Sequence, residues 1–238
     1  MSTLDHLVVI APTLADGVAW CEATLGVTPG PGGEHPLMGT HNRLIKVATA
    51  AFPSAYLEVI AINPGATPAR AAGARRWFDM DNEALQARLR QTGPQLAHWV
   101  AQVPDITAAV ATLAAQGIDR GRVLAASRPT PQGLLSWQIS VRDDGQRLFD
   151  GCLPTLITWS GAHPTSTMPA SGIHLQSLAV HHPQAATLAA ACQAIGLHGI
   201  PITLGPAQIQ AQLATPRGLV SLQSSLPALP NAQHTNHE

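Results

Sequence analysis

Three short apolar strands along the chain each end at a proline, and a histidine stands six residues before two of those prolines. The prolines are Pro12, Pro104 and Pro183, and counting back gives His6, His98 and Ser177. If the units pair about a pseudo-twofold axis, the two imidazoles face one cavity, and a neutral imidazole is a ready ligand for a divalent metal. The strand AYLEVIAI (55–62) adds a carboxylate. Alternation puts Tyr56, Glu58 and Ile60 on one face, so Glu58 lies among apolar neighbours, where an ionised carboxylate needs a cation or strong donors. His6, Glu58 and His98 with open coordination positions would suit Fe(II), Mn(II), Zn(II) or Ni(II), acting as a Lewis acid or activating bound water or oxygen. A purely structural reading sets the imidazoles in the core with satisfied nitrogens and pairs Glu58 with an arginine.

The loop GPGGEHPLMGTHN (30–42) is glycine-rich but lacks the GK[ST] of a phosphate-cradling loop. Its backbone N–H groups, with His35, Thr40 and Asn42, would receive a polar substrate or an enolate-like oxygen, or its glycines serve only a tight crossover. Arg128, in SRPTPQG, is a candidate clamp for a substrate carboxylate, which guanidinium binds bidentately. Trp137 and Trp159 lie on expected strands and either fill the core or stack on a ligand. His163, His181, His182, His234 and His237 read as solvated or capping residues. Cys21, Cys152 and Cys192 form no CxxC or metal-spaced cluster and read as reduced packing residues. No Ser/His/Asp or Cys/His signature for covalent catalysis occurs.

These residues need elements to hold them, and the prolines mark those elements. LDHLVVIAP (4–12) suits a buried strand. The helix after it carries Leu14, Val18, Cys21 and Leu25 at helical spacing and stops at Gly26, where a left-handed cap belongs. RLIKVA and AYLEVIAI follow as strands. The segment 63–94 reads as an exposed connection and then a polar helix ending at Gly93. A second unit repeats the order with QLAHWVAQV, a helix from Ile106 to Gly117, and the strands RVLAAS, LLSWQISV and LPTLITW. A third opens with IHLQSLAVHHP and adds a helix, then IPITL, AQIQAQL and GLVSLQ. Runs of strands between helices argue for an α+β fold of repeated βαβββ modules. The expected division is 1–66 and 95–162 as paired modules, 67–94 as a linker with its helix, 171–226 as a third module, and 227–238 as a flexible tail.

Only 11% of the 238 residues are charged and the formal net charge is -1, so no basic field exists to hold nucleic acid or anionic lipid. No apolar run reaches the ~18 to 20 residues needed to span a bilayer. The N-terminus lacks a basic start and an apolar h-region, so a cytoplasmic location is expected.

Across residues 4–224 the chain resembles the vicinal oxygen chelate superfamily, nearest its glyoxalase-like group with an extra C-terminal module. The likeness rests on LDHLVV (4–9), GGEHPLMGTHN (32–42), YLEVIA (56–61), SRPTPQGLLSWQ (127–138), LPTLITW (153–159) with His163-Pro164, and TPRGLV (215–220). It implies modules paired into a half-open barrel of the glyoxalase/bleomycin-resistance type around a divalent metal, with ligands falling on His6, Glu58 and His98. A further ligand from the last strand of the second module would fall on Ile157 or Thr158, where no carboxylate stands. The expectation is a metal-dependent enzyme of isomerase, lyase or oxygenase type acting on a small oxygenated metabolite. Glu58 or His35 would be the general base, and Thr40, Asn42, Arg128 and Trp137 would contact substrate. The rival expectation is a metal-free protein that sequesters a small molecule. A homodimer is a possible assembly.

Overall fold

The computed structural model describes residues 1–130 and 133–224. The expected tail at 227–238, with His234 and His237, lies outside the described residues. β1 (Thr3–Ile10) is buried on both faces, as its run of aliphatic residues requires. It feeds α1 (Leu14–Trp20), whose N-terminus is capped by the Thr13 hydroxyl accepting from the Asp16 N–H at 3.1 Å. The helix runs on into a π-helical turn, Cys21–Leu25, and stops where Gly26 takes a left-handed conformation at φ 76°. The buried face differs from the expected stripe. Gly17, Cys21 and Leu25 face the sheet while Val18 is half-buried, because the missing side chain at Gly17 lets α1 settle directly on Val59 of the sheet.

After β2 (Glu34–His35) and β3 (Thr40–Lys46), β4 (Tyr56–Ile62) returns to lie parallel to β1, with Val8 opposite Glu58. The connection after it is largely exposed as far as Arg76, then turns inward at Trp77 and Phe78 and leads to α2 (Glu83–Thr92), capped by Asn82. The second unit repeats the plan with β5 (Gln95–Gln102), α3 (Ile106–Ala114), β6 (Arg122–Thr130), β7 (Gly133–Val141) and β8 (Thr155–Ser160), and β8 returns parallel to β5. An antiparallel β1–β5 pair joins the two units into one eight-stranded sheet of order β2-β3-β4-β1-β5-β8-β7-β6. The sheet curls, because residues from both of its ends line one chamber. This is the paired-module α+β fold that the sequence predicts.

The third unit holds β9 (His174–His182), α4 (Ala185–Ala194), β10 (Ile202–Leu204), β11 (Gln208–Thr215) and β12 (Gly218–Gln223). Its succession of elements matches the first two, but its sheet order, β10-β9-β11-β12, does not. β1 and β5 each give one edge to the other. β9 has no sister strand, so both its edges are taken within its own unit, by β10 parallel and β11 antiparallel.

Two cores follow from the curl. On the outer face Leu7, Val9, Leu57, Trp99 and Ala101 pack with Leu175, Leu178, Ile209 and Leu213 of the second sheet. On the inner face Val8, Ile10, Ile60, Val100 and Ile139 pack with Trp77, Phe78 and Met80. Among the described residues no helix is long and apolar enough to cross a membrane.

Candidate functional site

The concave side of the large sheet encloses a narrow chamber of about 30 Å³, lined by His6, His35, Asn42, Tyr56, Glu58, Trp77, Phe78, Arg128, Trp137 and Trp159 among others. Strand alternation carries most of these side chains inward, and Trp77 and Phe78 close the space from the connection. Phe78 and Asp79 both take left-handed backbone at φ 59° and 58°, a conformation that costs non-glycine residues about 1–3 kcal/mol each.

His6 is 4% exposed and is held from behind. Its Nδ1 lies 2.6 Å from Asp5 Oδ1, so the proton resides on Nδ1 and donates to the carboxylate, leaving Nε2 to face Glu58 Oε2 at 3.6 Å. Asp5 Oδ2 accepts from the Trp159 indole N–H at 2.8 Å and from His163 Nε2 at 3.0 Å. Burial raises the proton affinity of Asp5, but hydrogen bonds from His163 and His6 outweigh it and bring the pKa down to about 2. Sequence alternation alone does not find Asp5, because it assigns Asp5 to the face opposite His6. The register shift between Leu4 and His6 leaves Asp5 without a strand partner and delivers two neighbouring residues to one network.

Glu58 is held by Asn42, whose Nδ2 donates to Oε1 at 2.6 Å. The Asn42 Oδ1 accepts the Gly33 N–H at 2.8 Å, which fixes the orientation of the amide. His35 touches Thr40 Oγ1 at 3.1 Å and Asn42 Nδ2 at 3.4 Å. Burial, with the positive charge of Arg128 nearby, lowers its pKa to about 3. His35 is therefore a weak base at neutral pH. Tyr56 stacks on His6 with ring centroids 4.5 Å apart, and burial pushes its phenol well above the usual range. The Trp77 indole N–H has no acceptor among the described residues. Trp137 lines the chamber beside Trp159, 5.6 Å away.

His98 does not join this group. It is fully buried, Nδ1 donates to the Gly151 carbonyl at 2.9 Å, and Nε2 accepts from the Thr155 N–H at 3.2 Å beside its hydroxyl at 3.0 Å. Burial and the nearby Arg120 and Arg147 charges keep it neutral well below the usual histidine pKa. In the β1–β5 register His98 faces Val8 and His6 faces Val100, so the repeated histidines are diagonal rather than opposite. The expected metal set of His6, Glu58 and His98 does not fit, because both nitrogens of His98 are already bonded. Thr158 is also engaged, donating to the Val103 carbonyl at 2.7 Å. Among the described residues no group of three or more His, Cys, Asp or Glu is arranged to hold a metal ion. His6 and Glu58 remain as two donors where catalytic sites ordinarily supply three.

Arg128 stands at the chamber's mouth, its guanidinium packed against Gly33 so closely that a Cβ there would displace it. Arg128, Leu44, Leu135 and Pro164 also line a second, wider cleft of about 670 Å³ that continues outward between the 27–32 loop, the β6–β7 hairpin and residues 160–171. Among the described residues lining either cavity Glu58 is the one carboxylate, whereas Arg128 and Lys46 supply two cations.

A family described as a glyoxalase-like domain matches residues 4–196. A hypothetical protein from Staphylococcus aureus, 12% identical, superposes with a TM-score of 0.56 over 94% of this chain and 85% of its own. That likeness reaches into the second sheet and concerns the fold. Two methylmalonyl-CoA epimerases align with TM-scores below one half. The one from Mycobacterium tuberculosis gives 0.38 at 15% identity, over 70% of this chain and 92% of its own. A variant from Streptomyces coelicolor in complex with 2-nitronate-propionyl-CoA gives 0.40 at 17%, over 68% and 96%. No curated protein matches the sequence.

Proposed function

The chain belongs to the glyoxalase-like domain family, and from that premise we propose that it is a proton-transfer enzyme of isomerase or lyase type. Its substrate is a small oxygenated carboxylate with an acidic C–H next to a carbonyl or carboxyl carbon. The observation that carries this reading is the Asp5–His6–Glu58 arrangement. One imidazole, its tautomer fixed by a buried carboxylate, and a second carboxylate 3.6 Å away face the same small chamber.

His6 Nε2 is oriented as a general base by the Asp5 bond behind it, in the way a carboxylate orients the imidazole of a hydrolytic triad. Removing a proton from the carbon sends its electron pair onto the adjacent oxygen. Arg128, at the chamber's mouth, supplies the positive charge that such an oxygen needs. Glu58, the one carboxylate among the chamber's described lining residues, returns or relays the proton. Since His98 is bonded elsewhere, no step is assigned to a metal.

The test is exchange of substrate hydrogen with D2O, followed by NMR across 2-oxo and 2-hydroxy carboxylates of three to six carbons. Deuterium is expected at the carbon bearing the acidic hydrogen, with a loss of about 10²–10⁴-fold in His6→Gln and in Glu58→Gln. Exchange that vanishes after EDTA dialysis and returns with Zn(II) or Mn(II) would overturn the metal-independent assignment. The wide outer cleft favours a second reading, sequestration of a small molecule without chemistry. That reading predicts saturable binding with no exchange for any compound in the series.

A further inference from the structure

The two cavities differ more than twentyfold in volume, about 30 Å³ against about 670 Å³, and they meet at Arg128, Leu44, Leu135 and Pro164. A chamber of the smaller size admits one or two small groups, whereas the larger volume lies within the range that holds a drug-sized ligand. We propose that the outer cleft is a tail-binding subsite, so that the substrate is a carboxylate carrying an extended, mainly apolar chain of on the order of ten non-hydrogen atoms. The inference rests on the proton-transfer reading for what happens at the head and goes beyond it in naming the class of molecule.

Size, apolar lining and charge agree on this occupant. Val27, Leu44, Leu134 and Leu135 give the cleft aliphatic wall, and Leu134 is 69% exposed although it is a large apolar residue. A chain lying in the cleft would remove that surface from water. The cleft's cations are Arg128, at the junction, and Lys46, and no carboxylate is present among its described lining residues. Lys46 donates to the Thr165 carbonyl at 2.9 Å, which fixes its ammonium group in the wall. A positively charged tail is therefore disfavoured, and a substrate carboxylate finds its countercharge where chamber and cleft join. Arg128 thus places the head inward, with the chain lying in the outer cleft.

The probes are 2-hydroxypropanoate, 2-hydroxyhexanoate and 2-hydroxydecanoate, with affinity read by quenching of intrinsic tryptophan fluorescence and exchange read by NMR in D2O. Affinity is expected to rise about three- to fourfold per methylene, so that the ten-carbon acid binds on the order of 100-fold tighter than the six-carbon acid. Ala162→Trp, which narrows the cleft from an exposed loop position, and Leu134→Asp, which charges its wall, are each expected to erase that gain. Binding of the three-carbon acid should stay unchanged in both. Affinity independent of chain length, or a gain untouched by both variants, would overturn the subsite. Chain-length-dependent affinity with no exchange at any length would keep the subsite and defeat the proton-transfer reading. Exchange with flat affinity would do the reverse.

Discussion

His98 bridges the Gly151 carbonyl and Thr155 in a fully buried position, so its removal orphans a backbone carbonyl and opens a cavity. His98→Ala is expected to cost about 2–4 kcal/mol in urea denaturation while the folded fraction keeps its exchange chemistry. A total loss of exchange in fully folded protein would return His98 to the active group. The acid branch of stability follows from the buried residues. His35 stays neutral down to about pH 3 when folded, against an ordinary value of 6.5. Below about 6.5 the unfolded chain therefore gains a proton that the folded chain refuses, and stability declines from there toward 3. Asp5 adds to the same side, its contribution complete above its ordinary 3.8 and lost as the pH falls toward about 2. Denaturation midpoints should be level above pH 7 and fall steadily to pH 4, with a shallower fall in His35→Gln. A flat profile in the parent protein would contradict the buried neutral imidazole. At this scale alternation is enough to place His6, Tyr56 and Glu58 on one wall. Asp5 escapes it because a bulge breaks the two-residue period. His163 and Trp77 escape it because loop residues have no period to read.

Glycines permit close approach at several points of the fold, Gly17 and Gly33 among them. A Cβ on Gly17 would collide with Val59 and lift α1 off β4, and one on Gly33 would collide with the Arg128 guanidinium. Gly17→Ala is expected to destabilise the fold by about 1–3 kcal/mol through overpacking, read as a lowered midpoint with the site's chemistry intact. Gly33→Ala is expected to leave the midpoint nearly unchanged and to weaken carboxylate binding by about tenfold, because the displaced cation is a recognition group and not a core residue. Equal effects of the two variants on stability would contradict that division. Most element boundaries were legible in the sequence, since each helix is bracketed by a capping side chain or a terminal glycine, as with Thr13 and Gly26. Sheet order in the third unit was not. Its strands carry the same apolar signal as the others, and which neighbour each one takes depends on whether β9 must share an edge.

The whole molecule is welded along the outer face of the large sheet. Residues of both sheets form one continuous core, and backbone bonds such as Leu175 N–H to the Val47 carbonyl at 2.9 Å stitch them. Deleting residues 171–238 should therefore yield an aggregated chain, because Leu7 and Trp99 lose their cover. A well-behaved smaller monomer in size-exclusion chromatography would show instead that the third unit is dispensable. The antiparallel β1–β5 pairing also sets a clock on biosynthesis. β1 meets β4 as soon as residue 62 leaves the ribosome, but its other edge waits for residue 102. At roughly 5–20 residues per second that interval lasts about 2–8 seconds. For that time the nascent chain carries an open, apolar strand edge of the kind that recruits wrong partners, and a force profile of stalled chains should show its main pull only after β5 has emerged.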